Sequence, residues 1–478
     1  MKCLKNLRRI IRSLNHLQWG VIVLGLIYSL PLFAQDQILE YNLKHREGSG
    51  ILNIDIKIEH LNSTNTSLVV PRSAPGTYEI TNYTRFYKNV IGITVEGDTL
   101  PGMLGAGSYY IFREDTFLAL IQYEVDVQEM EKELLGAFAS SKSRDGYIGI
   151  LGYSVFGVVE GLEEKPIQLH VRSSANWPVF TTLNPTKKSV GYLSEKVTNY
   201  ALLADAQYLL GKKVQIHQVD DSPIPLYVAA YSETPIDLSE IGRRAKVSLE
   251  GLADYFGYVP MPHYTVCYEF LEPISEKHGY GFSMEHLNSM TASLDTSRAI
   301  KDYNPDPPIG SMVHHMGHSW IPLRSYGTGY RPFEWGTAPI IETIWLNEGF
   351  IWYVMTKVLE DRKRLNFFRG VTKSAPDYIK RKSLKELSQL GSSQYSLDFD
   401  IGRNLFSRGA LMAYEMDVEI QRITNGEKSF RDALLGLLKW TDKNQRAFRY
   451  DEIEPILSNA TSVDLKTIWD KWQRPMKD

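Results

Sequence analysis

Between residues 38 and 225 apolar and polar positions alternate with period two. Leu52, Ile54, Ile56 and Ile58 are interleaved with Asn53, Asp55 and Lys57. Ile121, Tyr123, Val125 and Val127 repeat the pattern, as do Ile167, Leu169 and Val171. Successive side chains of a strand point to opposite faces, so this alternation predicts half-buried strands. Gly, Pro and Ser/Asn clusters separate the runs, the punctuation of an all-β domain and most simply of a sandwich.

Near residue 236 the period lengthens. Leu238, Ile241, Ala245, Leu249, Leu252 and Phe256 recur at helical spacing, with Gly257 placed to end the helix. His263 to Phe270 reads as a strand, and the pattern from there to residue 478 is mostly helical, as in Leu411 to Ile423 and Phe430 to Trp440. The predicted fold is α+β: a β-sandwich over residues 35–225, then a mostly helical domain over 226–478 entered through a small β region.

The first 34 residues carry a different pattern. Lys2, Lys5, Arg8, Arg9 and Arg12 precede an uncharged apolar run from Trp19 to Ala34. That is the layout of a secretory signal peptide, so the expectation is an exported protein, periplasmic or extracellular. The alternative is an uncleaved anchor, and only in that case does the chain meet a membrane. Cys3 and Cys267 are the only cysteines, so no disulfide framework supports the fold and burial must do so. A net charge of -3 over 478 residues points to no nucleic-acid partner.

Candidate chemistry sits in the helical half. In HHMGHSW, His314 and His318 are four residues apart, which puts them on one helix face, above the apolar stripe Ile309, Met312, Val313 and Met316. Two imidazoles at that spacing can share one Zn²⁺. Taken alone, the pair reads first as ordinary polar or core histidines. In WLNEGF, Glu348 lies within the apolar helical pattern Ile344, Trp345, Leu346, Phe350 and Ile351, where a carboxylate needs a cation or a hydrogen-bond partner. Two histidines, one carboxylate and an open fourth position form a catalytic zinc layout.

Together these stretches resemble the gluzincin zinc aminopeptidases, and in particular the glycyl aminopeptidase family. WLNEGF is similar to the second zinc motif, and GYGFSMEHLNS (279–289) to the amine-recognition motif that precedes it. VPRSAPGTYEITNYTRF, YIGILGYSVFGVVEG, DSPIPL and SRGALMAYEMDVEIQ follow the same family in order. The resemblance implies a β domain followed by a thermolysin-like domain. It implies one Zn per chain on His314, His318 and Glu348. It also implies that Glu285, with Gly281 and Met284 on the same strand, receives the free N-terminus of a peptide. Many members add a C-terminal PDZ domain, and this chain is expected to be a member without one.

Two departures bear on catalysis. His315 occupies the general-base position, where the family has Glu, and Phe406 occupies the position of the tyrosine that donates to the oxyanion. Losing a base typically forfeits about 10²–10⁴ in rate, and losing one oxyanion donor about 10²–10³. Arg408 replaces a family lysine, and the interval between His318 and Glu348 is long. The leading expectation is an exported zinc-aminopeptidase-like protein with impaired hydrolysis that acts by binding a peptide N-terminus or a partner protein. One alternative is an active zinc aminopeptidase that removes small N-terminal residues with His315 as base and Tyr326 or Tyr330 as donor. The other is a metal-free structural β-sandwich protein.

Overall fold

The computed structural model describes residues 39–59, 66–112, 116–134, 140–299 and 306–476, without the side chains of 306–308. The segment read as a signal peptide lies outside the described residues. Leu39–Asp478 forms one compact unit. An N-terminal domain of several β-sheets is followed by a mostly helical domain.

The largest β-domain sheet has seven strands, and the period-two runs form its middle. Ile51–Ile58 pairs antiparallel with Leu39–His45 and with Leu118–Asp126, so that Ile56 meets Tyr41 on one side and Ile121 on the other. Leu52, Ile54 and Ile56 are fully buried and face one core. Each such side chain contributes about 1.5–3 kcal/mol by leaving water. The run ending in Val127 breaks one residue early. Asp126 caps a short helix, Val127–Glu133, by accepting from Glu129 N at 2.9 Å, and Val127 enters the core from that helix. Further sheets of five and four strands complete the β domain.

A fourth sheet, of five strands, begins the helical half. Gln215–Val219 pairs with Leu226–Ser232, followed in space by Tyr264–Leu271, Ser289–Asp295 and, at the edge, Gly281–His286. The helix Leu238–Phe256 spans the predicted stripe and ends at Gly257, whose φ of 80° closes the helix as only glycine does readily. The predicted helix over 411–423 starts earlier, at Phe399, where Asp398 accepts from Asp400 N.

Two helices approach unusually closely in this half. Ile344–Val358 crosses Phe399–Ile423 at Gly349 and Gly409. A Cβ on Gly349 would lie 2.5 Å from Gly409 Cα, and one on Gly409 would lie 2.0 Å from Trp345 O. Glycine on both helices therefore sets how deep the Glu348 helix sits.

The cores of the two halves interlock. Tyr78, from the β domain, belongs to the helical core, whereas Met284 and Trp335 belong to the β core. The edge strand Gly281–His286 is tied to the β domain at both ends. Before it, Tyr280 Oη donates to Glu131 Oε1 at 2.6 Å, and Arg144 Nη1 holds Glu131 Oε2 at 2.6 Å. After it, Asp205 accepts from Leu287 N at 2.9 Å and meets His286 Nδ1 at 3.1 Å.

Candidate metal and amine-binding site

His314 lies in the last turn of the helix Asp306–Gly317, and His318 follows directly as that helix ends. Its amide still reaches His314 O at 3.3 Å, so the two rings keep the helical i, i+4 relation. Gly317 allows the turn to sit against the next helix, since a Cβ there would lie 2.9 Å from Ile351 Cγ2. That next helix presents Glu348.

The three side chains converge and are buried. His314 Nε2 and His318 Nε2 are 3.1 Å apart, and Glu348 Oε2 lies 3.2 Å from the first and 3.5 Å from the second. His318 Nδ1 lies 3.0 Å from Ile321 O, an atom that only accepts, so Nδ1 carries a proton and Nε2 is the nitrogen that faces inward. Two imidazole nitrogens and one carboxylate oxygen within 4.8 Å of one another suit a divalent ion. The electrostatics agree. Burial, then His318, lowers His314 to about 4. Burial also lowers His318, but Glu285 and Glu348 outweigh it and carry the ring up to about 9. Glu348 is held well below the usual carboxylate range; burial opposes this, and His318 and His314 prevail.

These groups line a cavity of about 560 Å³ together with Glu285, Ser283, His315 and Phe406. Glu285 is 4% exposed and its Oε1 has no hydrogen-bond partner among the described residues. Burial raises its pKa above the ordinary value. Gly76, at φ 91°, passes so close that a Cβ would lie 2.5 Å from Oε1. A buried carboxylate oxygen with a free lone pair and open space beside it is short of a donor. Of the three strand residues singled out from the sequence, only Glu285 lines this cavity. Met284 turns into the β core, with its Sδ 3.6 Å from Tyr153 Oη, and Gly281 is exposed near Arg298.

His315 shares a 2.6 Å hydrogen bond between its Nε2 and Ser283 Oγ, and its buried Nδ1 has no partner among the described residues. Burial, then His314 and His318, keeps the ring well below its ordinary pKa and so neutral. Phe406 stacks on Trp352 with centroids 4.9 Å apart and meets Phe368 at 6.2 Å. Trp352 in turn lies against His314 at 4.8 Å, so the place of a hydroxyl is taken by an apolar wall.

Tyr326 and Tyr330 line a different cavity. Tyr395 lines the metal cavity, and so does Tyr78, which the sequence reading did not single out. Tyr78 has a φ of 46°, a left-handed backbone costly for a bulky side chain. Asn347 Nδ2 donates to its hydroxyl at 3.2 Å, which leaves the phenol proton free to donate. The signal available was the turn-forming stretch Ala74-Pro75-Gly76-Thr77 just before it.

Comparison with known proteins agrees with this geometry. Residues 42–212 match the Peptidase M61 N-terminal domain. No curated protein matches the chain. An aminopeptidase N family protein from Idiomarina loihiensis superposes with a TM-score of 0.78 at 17% identity, over 92% of this chain and 76% of that one. The M1 zinc metallopeptidase of Deinococcus radiodurans gives a TM-score of 0.55 at 12% identity, over 93% and 94% of the two chains. Its mutant bound to a Tyr-Ser-Ala substrate gives 0.57 at 12% identity, over 93% and 94%. At these identities the structures speak for the fold. Residues 42–212 thus carry an N-terminal domain of the M61 type, and the chain has the fold of gluzincin aminopeptidase-like proteins.

Proposed function

We propose that the chain is an exported protein that binds one zinc ion and captures peptide N-termini, and that it hydrolyses them poorly. The observation that carries this reading is the pairing, in one cavity, of a converged His314, His318 and Glu348 triad with Glu285, whose Oε1 has no hydrogen-bond partner among the described residues. A bound zinc would supply Lewis acidity and polarise a substrate carbonyl. The chain's own residues bind and orient. Glu285 accepts the peptide's ammonium group, and the edge strand beside it offers backbone pairing to the first residues.

Proton handling is where the cavity falls short. A general base must reach the proton it takes; His315 Nε2 is bonded to Ser283 and leaves only the buried Nδ1 for that task. The Phe406 ring has no hydroxyl proton to give, and Trp352 and Phe368 pack against it. Export rests on the basic and apolar N-terminal pattern.

A second reading, residual hydrolysis, is favoured by one observation: Tyr78 brings a hydroxyl with a donatable proton to the same cavity. The two readings separate on one experiment. The zinc-loaded chain is titrated with an alanyl peptide amide and with its N-acetylated form, and turnover is followed in the same cell. The proposal expects one zinc per chain, binding of the free-amine peptide, at least about tenfold weaker binding after acetylation or in Glu285→Gln, and little turnover. Equal affinity for the acetylated peptide contradicts amine capture, and rapid turnover selects the second reading.

A further inference from the structure

A second cavity, of about 570 Å³, shares no lining residue with the one around His314. Its size suits a small ligand or one large side chain. The β domain and the segment 323–336 build it jointly. Four of its lining residues are Glu160, Glu163, Glu164 and Glu334, and among the described residues none of them forms an ion pair with Lys or Arg. Glu163 accepts from Gly161 N and Glu164 from Asn199 Nδ2, both neutral donors at 3.0 Å. Arg331 is the one cation in the lining among the described residues, and its guanidinium lies over the Tyr326 ring at 5.8 Å.

The carboxylates meet an aromatic wall. Tyr109, Tyr330, Phe333 and Trp335 line the same space. Phe333 and Trp335 sit 4.9 Å apart, and Trp335 is braced edge-on by Tyr200 at 5.1 Å. Tyr109 packs so tightly on the Gly336 backbone that a Cβ there would lie 2.6 Å from the ring. Burial, then Glu160, Glu334 and Glu163, pushes the Tyr109 phenol up, so three carboxylates gather about one ring. Tyr330 is 3% exposed, and burial, then Glu285 and Glu348, raises its phenol pKa, so this ring lies between the two cavities. A fixed set of π-faces beside uncompensated negative charge attracts an organic cation through both the ring quadrupole and charge-assisted hydrogen bonds. It repels an anion.

We propose that this cavity is a second binding site, distinct from the metal cavity, for a guanidinium or ammonium group. The cation belongs either to a peptide side chain or to a free small amine. Neither the metal ligands nor Glu285 line this site, although Tyr330 borders both cavities, so it stands whether or not zinc and peptide N-termini bind where proposed above.

Calorimetric titration of the full chain tests it, with agmatine as the free amine and N-acetyl-arginine amide as the peptide-borne cation. N-acetyl-citrulline amide is the neutral isostere. Both cationic probes are expected to bind, the citrulline form at least about tenfold more weakly, and the Glu163→Gln, Glu334→Gln double variant to weaken the cations by at least about tenfold at unchanged metal content. The tighter of the two cations assigns the source. Binding that survives Glu285→Gln separates this site from the metal cavity. No binding of either cation, equal binding of citrulline, an unaffected double variant, or loss of binding in Glu285→Gln alone would each overturn the proposal.

Discussion

The proton held by His318 makes the first testable statement at the scale of single residues. With Glu285 and Glu348 outweighing burial, the ring stays charged up to about pH 9 in the metal-free chain. A divalent ion must displace that proton to reach Nε2. Proton and metal therefore compete below this pKa, and the competition ends above it. Zinc affinity should rise about tenfold per pH unit toward pH 9 and then level off. Competition against a chelator over about pH 6 to 9 measures the slope. A flat profile would show that His318 is already neutral. The i, i+4 spacing of His314 and His318 made this pair legible in the sequence, because a helix fixes the geometry locally. Tyr78 was not legible for the opposite reason: 269 residues separate it from its partner Asn347. Ser283 and His315 are likewise joined only by the fold, across 32 residues.

Among the elements, the crossing of the two long helices decides how Glu348 reaches the histidines. Gly349→Ala would drive a methyl against Gly409, a contact with backbone on both sides and no flexible end to yield. Overpacking of this kind costs about 1–3 kcal/mol. Denaturant unfolding of the metal-free variant should show that loss, with weaker zinc retention because the Glu348 helix is displaced. Unchanged stability would mean that the helices separate freely. The sequence showed the helices through their period but not this crossing, since WLNEGF reads as a motif without revealing what its glycine touches. The strand ending at Asp126 was misjudged at Val127 because a buried valine satisfies either period. The capping bond to Glu129 N decided the matter.

At the scale of the whole molecule, the β domain holds the edge strand Gly281–His286 from both ends. Removing one tie by Asp205→Ala leaves the Leu287 amide and the His286 ring without their acceptor. The expected cost is about 1–3 kcal/mol in unfolding free energy. Metal content should not change, because none of the three ligands touches Asp205. Affinity for an alanyl peptide should fall as the edge strand loosens. Loss of metal together with peptide binding would instead indicate global unfolding. The order of domains was readable from the switch between period two and period 3.6. The interlocking of their cores was not, because Tyr78 and Met284 each pack in the other half's core, and no local pattern marks such an exchange.

The central claim is that the scaffold is complete and that His315 and Phe406 withhold the chemistry. Its most direct test is turnover of an alanyl anilide by the zinc-loaded wild type beside zinc-loaded His315→Glu, Phe406→Tyr. The double variant restores a carboxylate base and a phenol donor at the two altered positions, and its rate should exceed that of the wild type by at least about 10³. A wild type that already matches the double variant, or a double variant that holds zinc and stays inert, would contradict the account.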